Sequence, residues 1–582
     1  MPALSPTLLT NPNIMTGRSG ILRVVSPKGL QEMEREEKRL QSAERLQGRR
    51  DLTALGAHLR KLWIAAYTAR ETNGIDERLM SCRRQRSGEY DPKQLAAIKQ
   101  EKGSEVFMML TNVKCRAASA WIRDVLLPPG DKPWSIEPTP VPELPNDNLQ
   151  EIINAVRTEA ASMMMQQGIM SITPENIQAR LEELMYKVRK ENQERAAMAT
   201  QRFELRIQDQ FIEGGYYKAL SEFIEDIVTF PVAYMAGPEV RRKKVLAWEK
   251  RGVEYEPIVS EKFVREYRCP SPFDLFPAPS AKTIQDGFLF ERHRLRRGDL
   301  LAMRGVPGFN DLAIMNCLNE YGTKGHSEWL SMDQERADLE SRDQDWEDPD
   351  PPIDALQFWG SVQGKLLQEW GMGTDKVPEA LGEYQITAWM IDRHVICARL
   401  NPHPLGKRPY YSANYEVVNG SIIGKCPPEL MRDSQRICNG AARALVNNVG
   451  IASGPQVEVN KSRLEAGEDY ERMWPWKIWK TKDDRYGHGR PAIQFYQPEP
   501  LVDMLLKVFD YFFRNASEES GIPAYIYGNE TAGSGAGQTA TGLSMLMNAA
   551  SKSLKAVISH IDEGVVRQTV YEHWLHVMLY DK

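Results

Sequence analysis

Two segments of the last third, PELMRDSQRICNGAARALVNN at Pro428–Asn448 and LVDMLLKVFDYFF at Leu501–Phe513, decide the fold. The first sets Ser434, Gly440, Ala441, Ala442 and Ala444 between Leu430, Ile437 and Leu445, which reads as a helix slim enough for close approach by another. That close approach serves either the chain's own core or a ring of neighbouring helices. The second segment is apolar on most sides, so it needs cover nearly all round, from its own domain or from a further copy. It closes on Gly521-Ile522-Pro523, a glycine stop followed by a helix breaker.

Between the two helices lie Trp474, Trp476 and Trp479. Read as a strand, the spacing puts Trp474 and Trp476 on one face and Trp479 on the other. Tryptophan buries a large area per residue, so these rings suit either a folding core or a subunit contact. Beyond the second helix, Gly528–Gly542 combines five glycines with Thr531, Ser534, Gln538, Thr539 and Thr541. Such a segment has little apolar area and much conformational freedom. It is tethered by apolar helices at both ends, as a lid, a linker or a loop narrowing a channel would be. No Lys or Arg occurs between Asn529 and Met547; Lys552 and Lys555 are the nearest basic residues downstream.

Elsewhere the pattern is mixed, and the fold class read from it is α+β. Helical periodicity covers 29–70, Gly103–Leu127, 147–229 and 298–335, with a kink expected at Gly214-Gly215. Strand-like runs cover Trp134–Pro138, Val240–Trp248, Phe263–Tyr267, Phe288–Arg292 and Tyr384–Leu400. Residues 1–25 read as a loose arm. The acidic run Asp343, Asp345, Glu347, Asp348, Asp350 and Asp354 lacks the central Gly and closing Glu of a calcium loop and reads as a solvated linker.

At 582 residues with 42% apolar side chains, the chain is expected to be a soluble globular protein of several domains. Its start lacks the basic and apolar regions of a signal peptide, and no run is long enough for a membrane helix. Seven dispersed cysteines without a CxxC pair read as free thiols. A net charge of −5 sets it apart from basic domains that grip nucleic acid. The Gly-Lys words at Gly364-Lys365 and Gly424-Lys425 lack the spacing and the following Ser or Thr of a phosphate loop. His573 and His576 share a helix without a third ligand at a usual spacing, and read as structural. Neither a catalytic residue nor a metal or cofactor site is expected.

The order of these segments resembles that of portal proteins, the head-to-tail connectors of short-tailed double-stranded DNA bacteriophages. The resemblance rests on Leu127-Pro128-Pro129-Gly130, Trp134-Ser135-Ile136-Glu137-Pro138, Pro409-Tyr410-Tyr411, Gly424, Pro428-Glu429-Leu430 and the helix Gln435–Asn448. It continues through Gly521-Ile522-Pro523 and Gln538-Thr539-Ala540-Thr541-Gly542. It implies an N-terminal arm at 1–25, a wing at 26–425, a first stem helix at 426–448, a clip at 449–496 and a second stem helix at 497–520. A tunnel loop at 521–541 and a wing-to-crown helix at 542–582 would follow, ending where a crown is expected.

The resemblance further implies a non-enzymatic, twelve-membered ring at one capsid vertex, assembled in the host cytoplasm and carried in the virion. Such a ring nucleates procapsid assembly with scaffolding and major capsid protein, docks the large terminase subunit, and later binds tail or adaptor proteins. It passes double-stranded DNA without reading sequence. On this reading Thr531, Ser534, Gln538, Thr539, Thr541, Lys552 and Lys555 face the DNA channel. Trp474, Trp476, Trp479, Gly440, Ala441 and Ala444 would make subunit, tail or motor contacts. The competing readings are another head-tail adaptor or ejection protein, and a metal-dependent nucleic-acid enzyme.

Overall fold

The computed structural model describes residues 14–16, 23–25, 53–128, 130, 132–138, 150, 153–154, 157–158, 174–251, 254–322, 324–326, 328–330, 351–483, 487, 489, 491–522 and 554–580. The fold is mixed α+β, with several helices and small open sheets. Within the segment read as a loose arm, β1 (Ile14–Thr16) and β2 (Arg23–Val25) pair antiparallel.

Thr53 caps the first described helix, α1 (Ala54–Thr72), its hydroxyl accepting from the Gly56 amide at 3.2 Å. Helices α2 (Ile75–Ser87), α3 (Pro92–Gln100) and α4 (Leu110–Leu126) follow. The expected start of α4 at Gly103 is too early. The stretch before Leu110 is held extended along a later helix, where Asn447 accepts from the Ser104 amide at 3.1 Å and Asn439 from the Met108 amide at 2.9 Å. Trp134–Pro138 is not a strand; it is irregular, and Trp134 is buried edge-on against Phe211.

The expected kink at Gly214-Gly215 is a full break between α5 (Pro174–Glu213) and α6 (Tyr216–Thr229). Gly215 takes φ +73°, and a Cβ on Gly214 would sit 2.0 Å from the Arg265 carbonyl oxygen, so a side chain at 214 would push the two backbones apart. The strand readings that follow hold and lengthen: β3 (Ala233–Arg251) pairs with β4 (Glu254–Arg268) in a long antiparallel hairpin. Cross-strand register gathers the exposed Val240, Leu246, Val259 and Phe263 on one face of this ribbon.

The largest sheet is antiparallel throughout, in the order β5 (Leu275–Pro277), β6 (Leu289–Leu295), β7 (Ile353–Gln363), β8 (Glu383–Ile391) and β9 (His394–Leu400). Helices α7 (Arg297–Ala302) and α8 (Asp311–Tyr321) sit in the β6–β7 connection, where one longer helical stretch is expected. Alternation along β7 serves two cores. Leu356, Phe358 and Val362 pack with Leu59 and Trp63 of α1, while Ile353 and Ala355 pack with Leu300 and Ile314.

Asp354 is therefore not part of a solvated linker. It is fully buried in β7 and pairs with Arg292 at 2.6 Å. The other members of the acidic run lie outside the described residues. Gly364-Lys365 opens a short helix, α9 (Gly364–Trp370), directly after β7.

Strand β10 (Tyr410–Ala413) joins β3 in a three-stranded sheet, and its Tyr411 lies in the core shared by α4, α6 and the C-terminal helices. The chain then forms the short α10 (Pro427–Leu430), the long α11 (Arg432–Ala452), β11 (Gln456–Val459), β12 (Ile493–Tyr496) and α12 (Val502–Ser520). After a helical stretch at 554–561 come a wide helical turn at Asp562–Val566 and α13 (Arg567–Tyr580), which pack on the same core through Val565 and Val566 of the turn and Val577 of α13. All seven cysteines are free thiols. Among the described residues no helix is long and apolar enough to cross a membrane.

Candidate functional site

Helices α11 and α12 run antiparallel, and polar side chains fix their register. Ser434 donates to Glu519 at 2.8 Å near one end, the Cys438 thiol meets the Phe509 carbonyl at 3.8 Å, and Asn448 accepts from the Leu501 amide at 2.9 Å near the other. Small or compact residues at 434, 438 and 441 let the two helices close, with Phe509, Phe512 and Phe513 filling the seam around buried Cys438 and Ala516. The paired strands β11 and β12 extend the hairpin past the helix ends.

Apart from that seam, the hairpin keeps apolar surface in the open. On α11, Ile437, Gly440, Ala444 and Ile451 recur at helical spacing on one stripe. Ile437, Ala444 and Ile451 are exposed, and a Cβ added at Gly440 would meet no atom within 4 Å. On α12, Met504, Val508 and Tyr511 form a second exposed stripe. Among the described residues, the cover that the apolar second segment requires is thus only partly supplied. Of the small residues expected at contacts, Ala441 is buried in the chain, Gly440 is half-buried and Ala444 is exposed.

The tryptophans stand on a turn, not a strand, which corrects the alternation expected of them. The Lys477 amide donates to the Trp474 carbonyl at 3.2 Å, with Pro475 and Trp476 at the turn's centre. Trp476 takes φ +67°, a left-handed conformation that costs a non-glycine residue about 1 kcal/mol, and the residue is 96% exposed. Lys477 lies between the other two rings, with its ammonium 3.8 Å from the Trp479 centroid and 4.4 Å from that of Trp474. The result is an aromatic clasp around Lys477 with the exposed Trp476 beside it.

Thr531, Ser534, Gln538, Thr539, Thr541 and Lys552 lie outside the described residues. Lys555 is exposed on the stretch 554–561, whose Leu554, Val557 and Ile561 face the core.

At the base of the hairpin, Lys114 of α4 is fully buried and donates to Ser517 Oγ at 2.8 Å and to the Ile522 carbonyl at 2.9 Å. Burial lowers its pKa to about 8. It ties the end of α12 to α4 beside Gly521, whose φ of +65° forms the expected glycine stop. The signal for Lys114 was a charge on the apolar stripe that also carries Leu110, Cys115 and Ala118. His573 is likewise buried, with Tyr267 Oη at 2.8 Å and Gln210 Oε1 at 2.7 Å, which gives it a bridging place in the core. Among the described residues no three His, Cys, Asp or Glu side chains converge to hold a metal ion. No model of a known protein family matches the chain.

Proposed function

We propose that this chain is one subunit of a closed ring, the portal of a double-stranded DNA bacteriophage capsid. The carrying observation is the α11–α12 hairpin with an uncovered apolar stripe on each helix and an aromatic clasp at its far end. Two different stripes on one element suit a heterologous contact, in which Ile437, Gly440, Ala444 and Ile451 of one copy receive Met504, Val508 and Tyr511 of the next. Repeated with a rotation that closes, such a contact makes a ring. Covering the open half of one Leu-sized side chain contributes about 1 kcal/mol, and the slim Gly440 and Ala444 let a neighbouring helix come close.

The strained, exposed Trp476 supports a docking role for the tip. A side chain carried on a costly backbone conformation and held in solvent is suited to enter a partner's pocket, here the packaging motor or a tail protein. The duplex would pass along the ring axis beside the glycine-rich segment 528–542. With hydroxyl and amide groups in place of fixed cations, that segment would touch phosphates without gripping them or reading bases. Deleting residues 530–540 is expected to leave ring assembly intact and to abolish DNA packaging or retention, scored by nuclease-protected DNA per particle. Normal packaging by that variant contradicts the channel assignment.

A further inference from the structure

We propose that the cleft between α2, the start of α3 and α11 is a binding site for a phosphate-sized oxyanion. The inference does not depend on the ring reading. A cavity of about 60 Å³ is lined there by Arg84, Arg432, Arg436 and Arg443, against the carboxylates of Glu89 and Asp91. A water needs roughly 10–15 Å³ of such space, so the cavity holds a few waters or one tetrahedral anion.

Among the described residues, three of the four arginines lining this cleft also carry a buried guanidinium nitrogen with no hydrogen-bond partner. Arg84 spends Nη1 on Asp91 at 3.3 Å and keeps Nη2 buried without a partner. Arg432 reaches Glu429 only at 3.8 Å, and its Nε has no partner. Arg443 lies over the Tyr90 ring at 5.4 Å with its Nε also unpaired. Arg436 is exposed at the rim.

Leaving a buried donor unmet is costly, and more so when it is charged. Two of the cleft's amides are already committed, since Gln435 bonds Thr111 and the Met108 carbonyl, and Asn439 accepts from the Met108 amide. Arg432, Arg436 and Arg443 fall on one face of α11, while Arg84 approaches from α2. Donors converging from two sides suit a tetrahedral oxyanion, and the planar fork of each arginine favours phosphate oxygens.

The test uses the full-length protein, with thermal unfolding and titration calorimetry in inorganic phosphate against chloride at equal ionic strength. Phosphate is expected to raise the melting temperature, and R436Q/R443Q to weaken its binding at least tenfold. R304Q, at an exposed site elsewhere, should leave it unchanged. Arg443 is partly buried over Tyr90, so R436Q alone, at the exposed position, provides a second variant with a smaller loss. A short DNA duplex that competes with phosphate identifies a backbone phosphate as the source. A duplex that does not compete identifies the free anion, and either result supports the site. Equal effects of phosphate and chloride, or an undiminished phosphate effect in R436Q/R443Q, overturn it.

Discussion

Ala444→Arg and Met504→Asp are each expected to convert the assembled protein largely to monomer while leaving the subunit folded. Both positions are exposed in the single chain, so neither substitution disturbs a packed core. Each stands on one of the two stripes assigned to the ring contact. A charge placed there, or an arginine where a neighbouring helix must come close, costs about 2 kcal/mol or more at a well-packed contact. The cost recurs at every interface of a closed ring. Sedimentation velocity would show the loss of the fast species, with unchanged far-ultraviolet circular dichroism. Persistence of the assembly in both variants would remove these stripes from the interface.

The second large effect concerns stability. Arg292 of β6 and Asp354 of β7 pair diagonally across the two strands, with side chains 1% and 0% exposed. Taking away one partner strands a charge in a place water cannot reach, a loss of about 3–5 kcal/mol. Arg292→Met is therefore expected to lower the urea midpoint of unfolding sharply. The double variant R292M/D354V, which removes both charges at similar total volume, should recover most of the loss. A small effect of the single variant, or no recovery in the double, would contradict the buried pairing.

How far these features were legible depends on how local their causes are. The β8–β9 hairpin is written in its own alternation, and the end of α12 in Gly521, because each follows from neighbours in sequence. Strand β7 was hidden. Both of its faces are covered, so its apolar residues do not alternate with polar ones, and Asp354 looked like the end of an acidic linker. The start of α4 was misplaced because Asn439 and Asn447, more than three hundred residues away, capture the amides before it. Alternation misled at the tryptophans because Pro475 puts a turn where a strand was assumed. The slim positions of α11 were visible, but which of them faces α12 and which faces solvent depends on the register that Ser434 and Asn448 set. The arginine cleft was not legible, since Arg84 joins the α11 arginines only through the tertiary fold.

The central claim is that the uncovered stripes of the hairpin are covered by further copies of the same chain. Native mass determination of the purified full-length protein, combined with negative-stain imaging, tests it most directly. The account predicts a ring of about twelve subunits with an open axis; a monomer or a closed dimer without an axial opening would contradict it.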